Sequence, residues 1–230
     1  MTMAMMTILT ARMVATAALS GIFGMAGGLI LIGVLLVLLP LPEAMVLHAI
    51  TQMAANGWRS LVWLRHIHPR AALTYLAGCA FAFGAWTLWR YVPSKPIAFI
   101  LLGASPFLVW ILPRHWKPDP ERLPHGLLYG SACMTLMLLA GVSGPLVDTY
   151  FLGGKLDRRE IVATKAACQI FSHACKFIYF GGLLGQSTRH DSMMAGLAIA
   201  ASIVGTSMAK PVLERFTEAQ YRAGRAESSR

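Results

Sequence analysis

The chain has few charged residues, and acids are especially scarce. Only 13% of its 230 residues are charged, with 10 Asp or Glu against 20 Lys or Arg, whereas 56% are hydrophobic. Soluble domains carry about 25% charged residues. The deficit excludes an ordinary soluble domain and predicts a multi-pass membrane protein, because each span needs roughly 20 mostly apolar residues. This length holds about seven or eight spans and no sizeable domain outside the membrane.

Several catalytic and metal-binding patterns are also missing. The four cysteines all lie in apolar segments and show no CxxC spacing, so neither disulfides nor a zinc site are expected. No Ser-His-Asp arrangement, HExxH motif, P-loop or acidic metal cluster is present. His66 and His68 are better explained as part of a basic cluster at the membrane interface than as metal ligands. The sequence therefore predicts no enzyme, no cofactor and no metal.

The formal charge of +10 is spread along the chain. Lys and Arg are scattered among short loops and the C-terminal end, so anionic lipid headgroups and an anionic solute are the expected partners, and nucleic acid is not. The first apolar stretch has no small-residue cleavage signature after it. We interpret it as the first span and not as a removed signal peptide.

Hydropathy and proline positions predict the organisation of the chain. Apolar segments cover residues 7–39, 44–64, 71–89, 96–112, 125–152, 160–184 and 192–208. We predict an all-α polytopic bundle of about 7–8 spans, built from two internal repeats with Gly-broken helices. The divisions are a first repeat (1–113), a Pro-rich hinge (114–124), a second repeat that lacks its last span (125–209) and a polar basic tail (210–230). A homodimer would cover the flank left open by the missing span.

Two glycine-rich breaks interrupt the apolar segments. Residues 21–28 read Gly-Ile-Phe-Gly-Met-Ala-Gly-Gly, and residues 141–145 read Gly-Val-Ser-Gly-Pro, 120 residues later. Non-helical backbone survives at membrane depth only where protein or a water-filled cavity satisfies it. Paired breaks in two halves of a chain indicate a transporter binding site. The glycines assigned to this site are Gly24, Gly27, Gly28, Gly141 and Gly144.

A shift of 117 residues superposes two polar stripes. His48, Gln52, Asn56 and Arg59 coincide with Lys165, Gln169, His173 and Lys176. On an α-helix, steps of four, eight and eleven residues lie at about 40°, 80° and 20° from the first position, so each quartet occupies one face. Donors outnumber acceptors, which predicts a small oxyanion as ligand. Its predicted ligands are Gln52, Asn56, Arg59, Lys165, Gln169, His173 and Lys176. The alternative is that Arg59 and Lys176 snorkel to headgroups while the amides join helices.

Asp148 is the one acid in the middle of an apolar segment. Two roles are open for it: acceptor of a coupling proton, or counter-ion to Lys165 or Lys176. Glu43 and Glu160 lie at expected helix starts, where an acid complements the helix dipole, so we interpret both as caps.

These motifs resemble the sulfite exporter TauE/SafE family of bacterial membrane permeases. The resemblance covers residues 14–210 and is strongest over residues 141–176, where the second break is followed by Lys165, Gln169, His173 and Lys176. It implies a multi-pass inner-membrane carrier of sulfite, organosulfonates or related sulfur-containing anions. In such a carrier one repeat would rock against the other around the site. The alternative is a membrane assembly or accessory protein that moves no solute.

Overall fold

A computed structural model describes residues 11, 14, 15, 26–108, 118–183 and 192–215. Their regular structure is helical, with no strand in these ranges. A short 3-10 turn follows the second helix at Leu64–His66, and a π-helical turn, Tyr179–Leu183, follows the seventh. The α-helices are α1 (Ala26–Leu38), α2 (Leu41–Val62), α3 (Pro69–Trp89), α4 (Lys95–Ala104), α5 (Leu123–Ala140), α6 (Gly144–Leu152), α7 (Arg158–Ile178) and α8 (Ser192–Arg215).

Two of the described helices, α3 and α5, are long and apolar enough to cross a membrane, by length and composition alone. Three shorter apolar helical stretches lie within α1, α4 and α8. Helices α2 and α7 have 22 and 21 residues, and they are the two that carry the polar stripes.

Proline and acidic residues define where most helices begin. Helices α2 to α6 each have a proline in their first two positions, where the missing N–H group costs no helical hydrogen bond. Helix α7 begins instead with a capping box, in which the Asp157 side chain accepts from the Glu160 N–H and Glu160 accepts from the Asp157 N–H. The predicted capping role of Glu160 is confirmed, and Glu43 lies in the first turn of α2.

The predicted break in the fifth apolar segment is confirmed. Helix α5 ends at Ala140, and Gly141 follows with φ 81°, a left-handed conformation that glycine adopts without steric cost. A Cβ atom at Gly141 would also lie 2.9 Å from both Ile32 Cγ1 and Met45 Sδ. Helix α6 then starts at Gly144.

The first break is described only at its end. Residues 21–25, including Gly24, lie outside the described residues, and Gly27 and Gly28 belong to the first turn of α1.

The last described helix extends past the end of the final apolar segment. Helix α8 continues through Lys210 and Pro211 to Arg215, so the first residues of the expected polar tail are helical. Hydropathy ends at Met208, but backbone hydrogen bonding does not require apolar side chains. Of the predicted hinge, residues 118–124 are described.

The packing places α2 and α7 at the centre. These two helices pack along each other, α8 packs on α2, and α3 packs on both α5 and α7. Helices α3 and α5 approach each other closely, because glycines on each face the backbone of the other. Large apolar side chains such as Leu73, Phe81 and Leu88 on α3 remain exposed on the outside of the helical assembly.

Candidate functional site

The two predicted stripes are buried and lie on the facing sides of α2 and α7. All eight side chains of the quartets are buried, although they include amides, imidazoles and cations. The rings of His48 on α2 and His173 on α7 meet edge to face, with their centroids 5.5 Å apart. Since α2 and α7 also pack along their length, the sequence periodicity identified one shared polar layer between two helices.

A small cavity of about 30 Å³, partly open to the outside, lies in this polar layer. Six of the eight stripe residues line it. The start of α1, the end of α5, the α5–α6 connection and the start of α6 also contribute lining residues. The lining residues are Gly28, His48, Gln52, Asn56, Met137, Val142, Ser143, Gly144, Lys165, Gln169 and His173.

The polar groups of the cavity wall are amides, imidazoles, a hydroxyl and an ammonium, and several of them bond to one another. Gln169 Nε2 donates to Ser143 Oγ at 3.4 Å, and Asn56 Nδ2 donates to the Gln52 carbonyl at 2.9 Å. His173 Nδ1 is buried without a hydrogen-bond partner in the described part of the chain. An unsatisfied buried nitrogen costs free energy unless a ligand or water completes it, so a polar occupant of the cavity would stabilise this group.

The start of α6 adds backbone donors. Gly144 lines the cavity, and the preceding Ser143 makes no side-chain hydrogen bond to the first turn. The first N–H groups of a helix have no partner within the helix, and they form the positive end of its dipole. Such an end favours an anion. Gly28, in the first turn of α1, also lines the cavity.

Lys165 forms an ion pair with Asp148 of α6. Their side chains are 7% and 2% exposed, and Asp148 is the only buried carboxylate among the described residues. Of the two lysines considered as counter-ions of Asp148, Lys165 is the one that contacts it. Only Lys165 lines the cavity, whereas Asp148 lies behind it.

Lys176 is fully buried and connects the two stripes. Its Nζ lies 2.7 Å from His48 Nδ1 and donates to the carbonyl of Gly141 at 2.8 Å. Because an ammonium only donates, His48 Nδ1 accepts and the ring proton resides on Nε2, which lies 3.0 Å from the Gly28 carbonyl. Lys176 and Gly141 are therefore adjacent to the cavity without lining it.

Arg59 is also buried next to the cavity without lining it. Its exposed fraction is 8%, and Nη1 donates to Asn56 Oδ1 at 3.1 Å. Asn56 does line the cavity, so Arg59 orients one of its polar groups. An interior position of this kind differs from snorkelling, in which the charged end reaches the headgroups.

The other candidates lie elsewhere. His68 caps α3 by accepting from the Ala71 N–H, and its Nε2 lies 3.5 Å from Glu121 Oε1. The four cysteines are free and buried. In the described residues no group of three His, Cys, Asp or Glu side chains is arranged to hold a metal ion.

Four lining residues were not among the predicted ligands: His48, Met137, Val142 and Ser143. His48 was recognisable from its place in the first quartet, and Ser143 from its place within the second break. Met137 carries no sequence signal, because nothing distinguishes it from the other apolar residues of α5.

A model of the family described as TauE, sulfite exporter TauE/SafE, matches residues 9–225 of the chain. The matched region includes every described helix and all lining residues. No curated protein and no solved structure matches the chain.

Proposed function

The chain belongs to the sulfite exporter TauE/SafE family, and from this premise we propose that it is a secondary transporter of small sulfur-containing oxyanions such as sulfite or organosulfonates. The match confirms the resemblance drawn from the residues. The family consists of membrane transporters and not of enzymes, and the match does not favour a membrane accessory protein.

The cavity between α2 and α7 carries this proposal. Amides, imidazoles, the Lys165 ammonium and the start of α6 all line one buried hollow. A tetrahedral or pyramidal oxyanion offers three or four acceptor oxygens, and charge-assisted hydrogen bonds to such oxygens are the stronger kind. The predicted ligands that line the cavity are Gly28, Gln52, Asn56, Gly144, Lys165, Gln169 and His173. We assign supporting roles to Arg59, Gly141 and Lys176.

We further propose that the bundle contains about seven or eight spans built from two repeats. Helix α2 begins at Leu41 and α7 at Arg158, which is the 117-residue shift of the stripes. The contacts are matched in the same way, since α3 packs on α7 and α8 packs on α2. The corresponding location is the bacterial inner membrane, with anionic headgroups at the basic loops and a second copy of the chain as candidate partner.

The first test is binding by detergent-purified protein. We expect sulfite or methanesulfonate to raise the thermal unfolding temperature, whereas an organic cation such as tetramethylammonium does not. Gln52→Leu and Gln169→Leu each remove an amide from the cavity wall while conserving side-chain volume. Because a hydrogen bond to a charged group is worth about 1.5–3 kcal/mol, each change should weaken anion binding by about 10- to 100-fold.

Thr87→Val is a suitable control, since Thr87 is half-buried on α3, belongs to neither stripe and does not line the cavity. The control should bind the anion as the wild type does. Equal stabilisation by the organic cation and by the anions, or unchanged affinity in both Gln variants, would overturn the assignment of this cavity as an anion site.

A further inference from the structure

The ion pair of Lys165 and Asp148 connects two different environments. The Lys165 side chain lines the cavity, whereas Asp148 is held behind it on α6. Within the described chain no other carboxylate is buried. An anion in the cavity therefore reaches the ammonium directly, and it competes with Asp148 for the same cation.

We propose that this pair couples anion movement to protons: the bound anion replaces the Asp148 carboxylate at Lys165 Nζ, and Asp148 takes up a proton. The inference rests on the proposed function, because it requires an anion in this cavity. A buried carboxylate that loses its cationic partner is costly as an ion, and the cost is removed when it becomes a neutral acid.

The exchange conserves charge. Before binding, the Lys165–Asp148 pair holds one ammonium and one carboxylate, which sum to zero. After binding, it holds an ammonium paired with a monovalent anion and a neutral carboxylic acid, which again sum to zero. One O–H bond forms on Asp148, and its proton comes from the solution on the side from which the anion enters. Each monovalent anion thus moves with one proton and without net charge, whereas a divalent anion would move one negative charge.

The titratable groups on the helices that pack against α6 are few. Helix α6 packs against α1, α5 and α7. Helix α1 contains no titratable residue, α5 faces Asp148 with the Cys133 thiol, and α7 faces it with Lys165. His173 and Lys176 lie about two and three turns further along α7. Among the described residues of these helices, Lys165 is the cation that both lines the cavity and pairs with Asp148.

The direction of net anion transport depends on the proton gradient and the anion gradient together. A reversible cycle of this kind takes the anion up when the inward proton gradient exceeds the outward anion gradient. It releases the anion, with a proton, when the anion accumulates inside beyond that limit.

The test uses the full chain in proteoliposomes with radiolabelled methanesulfonate, a monovalent anion that does not titrate near neutral pH. In the wild type, an imposed pH gradient should drive accumulation of about tenfold per pH unit, because one proton accompanies each anion. A membrane potential set by potassium and valinomycin should drive none. This measurement requires no variant.

Asp148→Asn separates coupling from binding. The amide cannot take up a proton, so accumulation driven by the pH gradient should fall to a ratio of about one, whereas exchange of internal for external methanesulfonate continues. The matched control is Glu43→Gln, which removes an acid from the first turn of α2 and should retain accumulation of about tenfold per pH unit.

The outcomes distinguish the two proposals. Wild-type protein that shows no methanesulfonate exchange and no binding overturns both. Exchange that responds to membrane potential and not to a pH gradient overturns the coupling and leaves the anion site intact. Accumulation by Asp148→Asn equal to that of the wild type also overturns the coupling.

Discussion

Lys176 shows how a single side chain joins the two stripes. Its ammonium contacts His48 on α2 and the Gly141 carbonyl at the end of α5, and it has no exposed surface. The contact determines which nitrogen of His48 carries the proton, and His48 itself lines the cavity. Lys176 therefore influences the cavity through His48 and not by direct contact with its occupant.

Replacing Lys176 should strongly reduce transport without unfolding the protein. In Lys176→Ala, His48 Nδ1 and the Gly141 carbonyl lose their shared donor, so the cavity wall loses its defined hydrogen-bonding pattern. We expect anion flux in proteoliposomes to fall at least tenfold, and Arg59→Ala, which frees Asn56, to have the same effect.

The control for these cations is Lys155→Ala, since Lys155 is exposed in the connection before α7. It should transport normally and elute as the wild type does on size-exclusion chromatography. If Lys176→Ala and Arg59→Ala both transport at the wild-type rate, neither cation takes part in the mechanism.

Among pairs of elements, α3 and α5 depend most on small residues. A Cβ atom at Gly78 would lie 2.5 Å from the Leu127 carbonyl oxygen, and one at Gly126 would lie 2.5 Å from Thr74. Side chains join the backbones at the same level, since Ser131 Oγ donates to the Gly78 carbonyl at 3.0 Å. Small residues spaced by four, as Gly126 and Gly130 are, allow this approach between membrane helices.

Gly78→Ala should therefore separate α3 from α5. The methyl group meets backbone atoms, which cannot move aside as a flexible side chain can, so we expect a loss of about 1–3 kcal/mol, the usual cost of overpacking. The free energy of unfolding in mixed detergent micelles measures the change.

Gly84→Ala provides the comparison on the same helix, because a Cβ atom there would meet nothing within 4 Å. Its stability should equal or exceed that of the wild type, as alanine favours the helix more than glycine does. Equal stability of both variants would show that the two helices are not in close contact.

In the whole molecule, helices from the two halves of the sequence pack closely against each other. The closely packed pair of α3 and α5 joins a helix of the first predicted repeat to one of the second. Trp86 Nε1 of α3 also donates to Thr135 Oγ1 of α5 at 3.1 Å. Rocking one sequence half as a rigid body against the other would separate this pair. We therefore expect the moving units to cross the repeats, with α3 and α5 remaining together.

Cross-linking tests which units move. Cysteines placed at Trp86 and Thr135 can be joined by a short bifunctional methanethiosulfonate reagent, and the native cysteines are all buried. Transport should survive cross-linking, since α3 and α5 belong to one unit. Loss of flux that a reducing agent restores would indicate that these helices separate during transport.

Much of the architecture was predictable because it depends on local chemistry. Prolines at the first helical positions determine the starts of α2 to α6, and Asp157 with Glu160 determines that of α7. Gly141 and Pro145 predicted the break between α5 and α6. Periodicity placed each polar quartet on one helix face, and both faces are buried.

Contacts between distant elements required the structure. Periodicity shows which residues share a face, but not which cation meets Asp148, and Lys165 and Lys176 were equal candidates before their depth along α7 was known. Neither spacing nor composition indicated that Lys176 reaches His48, or that α3 packs on α5.

The amino-acid order is sufficient for the membrane class, the helix starts, the second break and the two polar faces, because these depend on neighbours within a few residues. The choice of partners for Asp148 and Lys176, the cavity between α2 and α7, and the interlocking of the halves depend on how helices are packed in three dimensions. Packing brings together side chains more than a hundred residues apart in the sequence, such as His48 and Lys176. Contacts of this kind produce no periodic pattern in the sequence from which they could be predicted.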